Sequence, residues 1–223
     1  MSPRPRKASD DEVFAATLRR MAELGPQQIT LADIAAEAGL TAGALVQRFG
    51  SKRALLLALS EKFAQSTGAM FESLRAADPS PLATLFAYGD CMAEMGGSAE
   101  ALAHHLMWLQ QDLTDPDFRR FTLLQARASR RELQRLIAEA VAQGLMKRTV
   151  DPARLARAVE ITVGGSLMAW AVYQEGKASS WVREDLDALL GPSMTARARR
   201  RDQDRRPGAA KRTKKKQSVI TRE

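Results

Sequence analysis

The sequence predicts an all-α protein. Alanine and leucine supply 38 and 26 of its 223 residues, against 12 aromatics, and these are strong helix formers set against few strand formers. Apolar residues recur at helical spacing between breaks such as Gly25-Pro26, Gly39, Gly50, Asp78-Pro79, Asp151-Pro152 and Gly191-Pro192, and no run alternates at period two. No internal repeat stands out. The layout predicts a compact N-terminal three-helix unit followed by a larger C-terminal helical part.

The N-terminal elements follow from local chemistry. A first helix is expected over Ser9–Leu24, with Ser9 as cap and Asp10, Asp11 and Glu12 complementing the helix dipole. Val13, Thr17, Met21 and Leu24 share one face, and Gly25 supplies a left-handed stop. A short helix is expected over Leu31–Ala38, capped by Thr30 with Asp33 in a short capping box, and burying Leu31, Ile34, Ala35 and Ala38. Gly39-Leu40 turns the chain. Thr41 then caps Ala42–Arg48, Phe49-Gly50 closes that helix, and Ser51 caps a longer one reaching about Ala77, with Leu55, Leu56, Leu59 and Phe63 inward.

Two short helices joined by a tight glycine turn, the second with a small and polar first turn, match a DNA-binding helix-turn-helix. Leu45 and Phe49 point to the core, which leaves Thr41, Ala42, Gly43, Ala44, Gln47 and Arg48 for a major groove. Gln can pair with adenine edges, Arg with guanine or phosphate, and Lys52 is placed to meet a phosphate. A three-helix scaffold that binds no DNA is the bland alternative.

The stretch from Ile29 to Leu45, ITLADIAAEAGLTAGAL, followed by Phe49-Gly50-Ser51-Lys52-Arg53-Ala54-Leu55-Leu56, resembles the N-terminal domain of the tetracycline-repressor (TetR-like) family. The close match covers about residues 10–60. The resemblance implies a homodimeric, ligand-responsive regulator of transcription, usually a repressor, with double-stranded DNA and an unknown small-molecule effector as partners. Its C-terminal helical domain would bind the effector and dimerise. Carried over by position, Thr30, Thr41, Gly43, Gln47 and Lys52 would contact DNA. Val46 stands where many members have a tyrosine that touches the DNA backbone, so Arg48, or Arg4, Arg6 and Lys7, would have to compensate. Arg20 occupies a position that is usually apolar, where its stem can snorkel.

Further helices are expected near Leu82–Met95, Ala99–Asp112, Asp117–Gln143, Pro152–Gln174 and Trp181–Leu190. The third of these carries Phe121, Leu124, Leu133, Leu136, Ile137 and Val141 on its apolar side. Residues 158–173 are apolar on more than one face, and Gly164-Gly165-Ser166 allows close approach of another helix. The helices near 152–174 and 181–190 are therefore assigned to a subunit interface, the alternative being the central core helix of a monomer. Met92, Met95, His104, Met107, Trp108, Gln111, Met168 and Trp170 form a pool for an effector pocket, combining adaptable apolar bulk with polar tips. For any one of them taken singly, ordinary core packing is the simpler explanation.

The expected division is a basic arm over 1–8, the helix-turn-helix domain over 9–60, the effector-binding and dimerisation domain over 61–192, and a disordered basic tail over 193–223. From Met194 onward there are 12 basic and 3 acidic residues, so the overall charge of +8 belongs to the tail and the remainder is near −1. A tail this polar cannot offset its ordering entropy and would attract polyanions through counterion release, or simply keep the chain soluble. That tail also supports a competing reading, a non-specific DNA-compacting scaffold.

Other classes find no support. The one cysteine, Cys91, excludes an internal disulfide framework and a thiolate cluster within the chain. His104 and His105 are adjacent, hence about 100° apart around a helix, and cannot chelate one ion from one face. No HExxH, GxSxG or phosphate loop occurs, so no enzyme, metal or cofactor is expected. Asp112, Asp115 and Asp117 flank a proline turn, where capping is the expected role. Acidic residues follow the basic N-terminus, and the longest uncharged run, Ile161–Gln174, has 14 residues, short of the ~20 that span a bilayer. The expectation is a cytoplasmic protein with no membrane partner.

Overall fold

The computed structural model describes residues 8–205. In chain order the helices are α1 (Asp10–Gln28), α2 (Leu31–Ala38), α3 (Ala42–Phe49), α4 (Lys52–Ala77), α5 (Pro81–Gly96), α6 (Ala99–Thr114), α7 (Pro116–Ala142), α8 (Pro152–Tyr173), α9 (Ala178–Leu190) and α10 (Ala196–Arg205), with a 3-10 turn at Gly191–Ser193. Among the described residues the extended pairing is limited to an isolated bridge between Met146 and Met194. The protein is all-α.

Caps set the helix starts. Ser9 Oγ accepts from Glu12 N at 3.2 Å while the Glu12 carboxylate accepts from Ser9 N at 2.8 Å. Thr30 and Asp33 form the same reciprocal box at 3.2 and 2.9 Å. Thr41 and Ser51 each accept one first-turn N–H, from Ala44 and Ala54, and each such cap stabilises its helix by about 1 kcal/mol. The expected stop at Gly25 is instead a kink, with φ 77° and ψ 159°, after which Pro26–Gln28 adds one more turn.

Two cores form. Val13, Phe14, Ile29, Ile34, Leu45 and Leu55 belong to the N-terminal one. The larger one gathers α5, α8, α9 and the later turns of α4 and α7 around residues such as Phe71, Leu85, Leu136 and Val163. The expected boundary at residue 60 falls inside α4, which gives Leu59 to the first core and Phe71 to the second. The first core is completed from outside, because Phe118 of α7 is fully buried in it. The two units therefore share a rod and a wall.

Three further expectations change. The tail does not begin at 193. Met194 and Ala198 are buried in the larger core, Met194 through the bridge to Met146, and α10 continues to Arg205; residues 206–223 and the arm residues 1–7, with Arg4, Arg6 and Lys7, lie outside the described residues. Leu124 is 53% exposed and not on the inward stripe of α7. By length and composition α8 could cross a membrane; the 14-residue limit missed this because the helix begins well before its uncharged run. One stripe of α8 (Ala156, Val159, Val163, Leu167, Trp170) is core, and the opposite side is open, so α8 is neither wholly buried nor wholly free. Close contact of α5 with α9 depends on Gly89, where a Cβ would stand 2.6 Å from Leu186 Cδ1.

Candidate nucleic-acid interface and effector cavity

The turn between α2 and α3 is built as the sequence requires. Gly39 adopts φ 67° and ψ 33°, and Leu40 N donates to the Ala35 carbonyl at 2.8 Å. Ile34, Ala35 and Leu45 are buried between the two helices. The outer side of α3 then carries Thr41, Gly43, Val46 and Gln47 in solvent, while Ala42 is half-buried against the core. Thr41 Oγ accepts from Ala44 N and keeps its own proton to donate. Gln47 makes no hydrogen bond among the described residues, so its amide is free to read a base edge. Gly43 has no atom nearer its absent Cβ than Thr41 Oγ1 at 4.0 Å, which leaves room for a close backbone approach.

The other sequence-derived DNA contacts are engaged within the protein. Thr30 donates its hydroxyl proton to Asp33 at 2.6 Å; that hydroxyl bond, followed by the Thr30 backbone N–H, holds the Asp33 carboxyl below its ordinary range. Arg48 donates to the Ala8 carbonyl at 2.6 Å, pairs with Asp10, and lies 5.5 Å from the Phe49 ring centroid. It fastens the end of α3 to the start of α1. Lys52 donates to the carbonyls of Pro26, Gln27 and Ile29 at 3.2, 3.1 and 2.8 Å. All three ammonium protons are thus directed at the end of α1, where the last carbonyls lack helical partners. Arg48 and Lys52, expected at phosphates, are each held by partners inside the protein. Arg20, likewise, pairs with Glu23 at the surface.

A clamp that the sequence did not reveal joins this head to the rest. Arg53 Nη2 contacts Asp115 Oδ2 and Asp117 Oδ2, each at 2.8 Å, and the guanidinium lies 5.6 Å from the Phe118 ring centroid. Asp115 also accepts from Asp117 N at 2.9 Å, so its expected capping role holds and is one of two.

Beside the head, between α1, α4, α6 and α7, lies a cavity of about 260 Å³ lined by Met21, Phe63, Met95, Trp108, Asp112 and Gln125, among others. A smaller one of about 170 Å³ adjoins it at Leu18, Phe63, Met95 and His104. Of the sequence-derived pool, Met95 and Trp108 line the first cavity and His104 the second. His104 Nδ1 also donates to the Ala22 carbonyl of α1 at 2.8 Å. The remainder do not line either: Met92 packs on the larger core, Trp170 is buried there with its indole donating to the Gly176 carbonyl, and Met168 is 51% exposed on α8. Met107 and Gln111 are half-buried on α6 and absent from both walls.

Sequence reasoning missed the polar wall. Ser60 is 6% exposed and its hydroxyl is buried with no partner. Asp112 is 8% exposed and accepts from the Trp108 indole N–H at 2.8 Å. Burial pushes its carboxyl above the ordinary range, against the Thr122 hydroxyl, the Trp108 N–H and His105, which hold it down. His105 stands at the exposed mouth, with its imidazole lowered by the surrounding protein and partly restored by Asp112. Spacing could have suggested this, since His105, Trp108 and Asp112 fall three and four residues apart on α6. A larger open cleft of about 370 Å³, by Phe86, Asp90, Gln143 and Arg183, lies far along the chain from the reading head and has its Asp90–Arg183 pair already formed.

Comparison with known proteins agrees with this geometry. Residues 13–59 match the family model described as bacterial regulatory proteins, tetR family. No curated protein sequence matches the chain. Among solved structures, a TetR transcription regulator from Haloarcula marismortui aligns with TM-score 0.69 and 18% identity over 83% of this chain and 98% of the other. The transcriptional regulator FadR from Bacillus subtilis, in complex with stearoyl-CoA, aligns at 0.62 and 17% over 82% and 98%. SmeT, the repressor of the Stenotrophomonas maltophilia multidrug efflux pump SmeDEF, aligns at 0.62 and 20% over 85% and 92%. The helix-turn-helix domain of this chain is thus of the tetR family of bacterial regulatory proteins, and the chain as a whole has the fold of TetR-type transcription regulators.

Proposed function

We propose that the protein is a homodimeric, ligand-responsive transcription regulator, acting as a repressor in the cytoplasm, that binds a palindromic operator through α3 and leaves it when a small molecule fills the cavity between α1, α4, α6 and α7. The observation that carries this reading is the outer side of α3. Thr41, Gly43 and Gln47 stand in solvent there, while Arg48 and Lys52 lock the helix's surroundings to α1. A rigid support with free polar tips is what base reading needs.

Dimerisation is supported by the outer side of α8, where Ile161, Val172 and Tyr173 are 62%, 80% and 64% exposed. Gly164 and Gly165 have nothing within 4 Å of an added Cβ, so a second backbone can approach. A twofold pair would present two heads to half-sites about 34–36 Å apart. The domains are read as a reading head over residues 9–60 and an effector and dimer body from residue 61 that extends past Met194 and Ala198 of the larger core, joined by α4. Effector release follows from linkage, since a ligand that prefers the head spacing unsuited to DNA must weaken DNA binding by the same factor.

The test is a mobility shift with DNA from upstream of the protein's own gene at about 150 mM salt, where long-range attraction is screened. Retention against scrambled competitor supports the reading. Equal loss to scrambled DNA favours the scaffold driven by its basic tail, the competing function.

A further inference from the structure

The cavity beside the head holds one acidic side chain and no Lys or Arg among its lining residues. Asp112 is 8% exposed at its wall, yet forms no ion pair with Lys or Arg among the described residues. The neighbouring charges are turned elsewhere. Arg19 and Arg20 of α1 pair with Glu37 and Glu23, Lys62 of α4 pairs with Asp11, and Arg120 of α7 lies over Phe121. His105 is the nearest base, and its surroundings disfavour its charged form. An ionised carboxylate so placed has the Trp108 N–H beside it but no Lys or Arg counter-charge, which is costly in a low-dielectric site. The rest of the wall offers the face of Trp108, the ring of Phe63 and the thioethers of Met21 and Met95, surfaces that attract soft cations and hydrocarbon alike. Ser60 adds a second polar group at the wall, a fully buried hydroxyl with nothing to bond.

We propose that the cavity takes an organic cation with an apolar body, its positive group seated on the Asp112 carboxylate and its hydrocarbon against Trp108, Phe63 and Met21. This rests on reading the cavity as the effector site and adds the chemical class of the effector.

Three probes of one skeleton and different charge test it on the full chain by titration calorimetry: 3-phenylpropylammonium, 3-phenylpropan-1-ol and 3-phenylpropanoate. The ammonium should bind about tenfold or more above the alcohol, the lower end of what an opposite charge does to a buried carboxylate's equilibrium, with the carboxylate weakest. Asp112→Asn keeps the shape and the acceptor for Trp108, and should bring the ammonium down to the alcohol's affinity while leaving the alcohol unchanged. A melting-temperature rise of that variant with the ammonium no larger than with the alcohol, where the parent's is larger, gives the same answer without calorimetry. Equal binding of all three probes, or undiminished ammonium preference in Asp112→Asn, overturns the cation assignment and leaves the cavity standing as an effector site. No binding by any probe overturns both.

Discussion

Arg53, in the first turn of α4, holds Asp115, the residue between α6 and α7, with Nη2 3.0 Å from Oδ1 and 2.8 Å from Oδ2. The reading head is thereby tied to the junction of the two helices that form much of the cavity wall. The Arg53 side-chain bond, first among its causes, keeps the Asp115 carboxyl below its ordinary range. A depressed folded value means that the pair stabilises above the ordinary carboxylate range and is lost as pH falls through the lowered value. Arg53→Gln should raise amide exchange together at the start of α4 and in the α6–α7 turn, and leave α8 and α9 unchanged. Both partners are partly exposed, so the melting temperature should move little. Unaltered exchange at the turn would contradict the clamp.

Lys52 distinguishes a positioning role from a phosphate contact. Lys52→Met removes the donor to three carbonyls and should destabilise the protein by about 1.5–3 kcal/mol, the range for hydrogen bonds to a charged group. The slope of log DNA affinity against log salt should stay unchanged. A phosphate contact would instead lower it by ~0.9.

Gln47→Ala should leave the fold intact, because the side chain is exposed and makes no hydrogen bond among the described residues. Discrimination at one base pair of each half-site should fall by about 1–3 kcal/mol, read by competition with single-substituted operators. Undiminished discrimination at every position would exclude Gln47 from base reading.

Val172 is 80% exposed on α8, so Val172→Glu costs a monomer almost nothing. In a dimer it places two like charges at an apolar contact. Sedimentation should show a dimeric parent and a monomeric variant of equal helicity. A variant that remains dimeric would move the interface off this side of α8.

Asp112 gives a pH test. Its folded value is raised by burial, so its contribution is favourable below the ordinary range and is lost as pH rises through the raised value. Asp112→Asn, which cannot ionise, should melt above the parent at pH 7.5, and the gap should shrink at pH 4.5. A gap that is constant with pH would show that the carboxyl is not penalised.

Much of the head was legible in the sequence because its chemistry is local. Thr30 with Asp33, Thr41 with Ala44 and Ser51 with Ala54 each close within three residues, and the reversal at Gly39 needs its own positive φ. The internal partners of Arg48 and Lys52 were not legible because they lie 40 and 23–26 residues away. Two flexible basic side chains on a reading helix look free until the fold delivers carbonyls to them. The cavity resisted for the same reason: Ser60, Asp112 and Gln125 come from three helices, and their convergence is tertiary. The helix after Met194 was hidden by composition. Arginine dominates it, and the apolar Met194 and Ala198 record that it packs.

The continuity of α4 sets a mechanical gain. From Phe71 in the larger core to Lys52 at the head is ~29 Å of helix at ~1.5 Å per residue. A tilt of ~7° about the Phe71 end therefore carries the head ~3.4 Å, one base-pair step of duplex. With the same tilt mirrored in a twofold partner, both heads would leave register with their half-sites, each moving only about twice as far as Ser60 and Phe63, the α4 residues on the cavity wall.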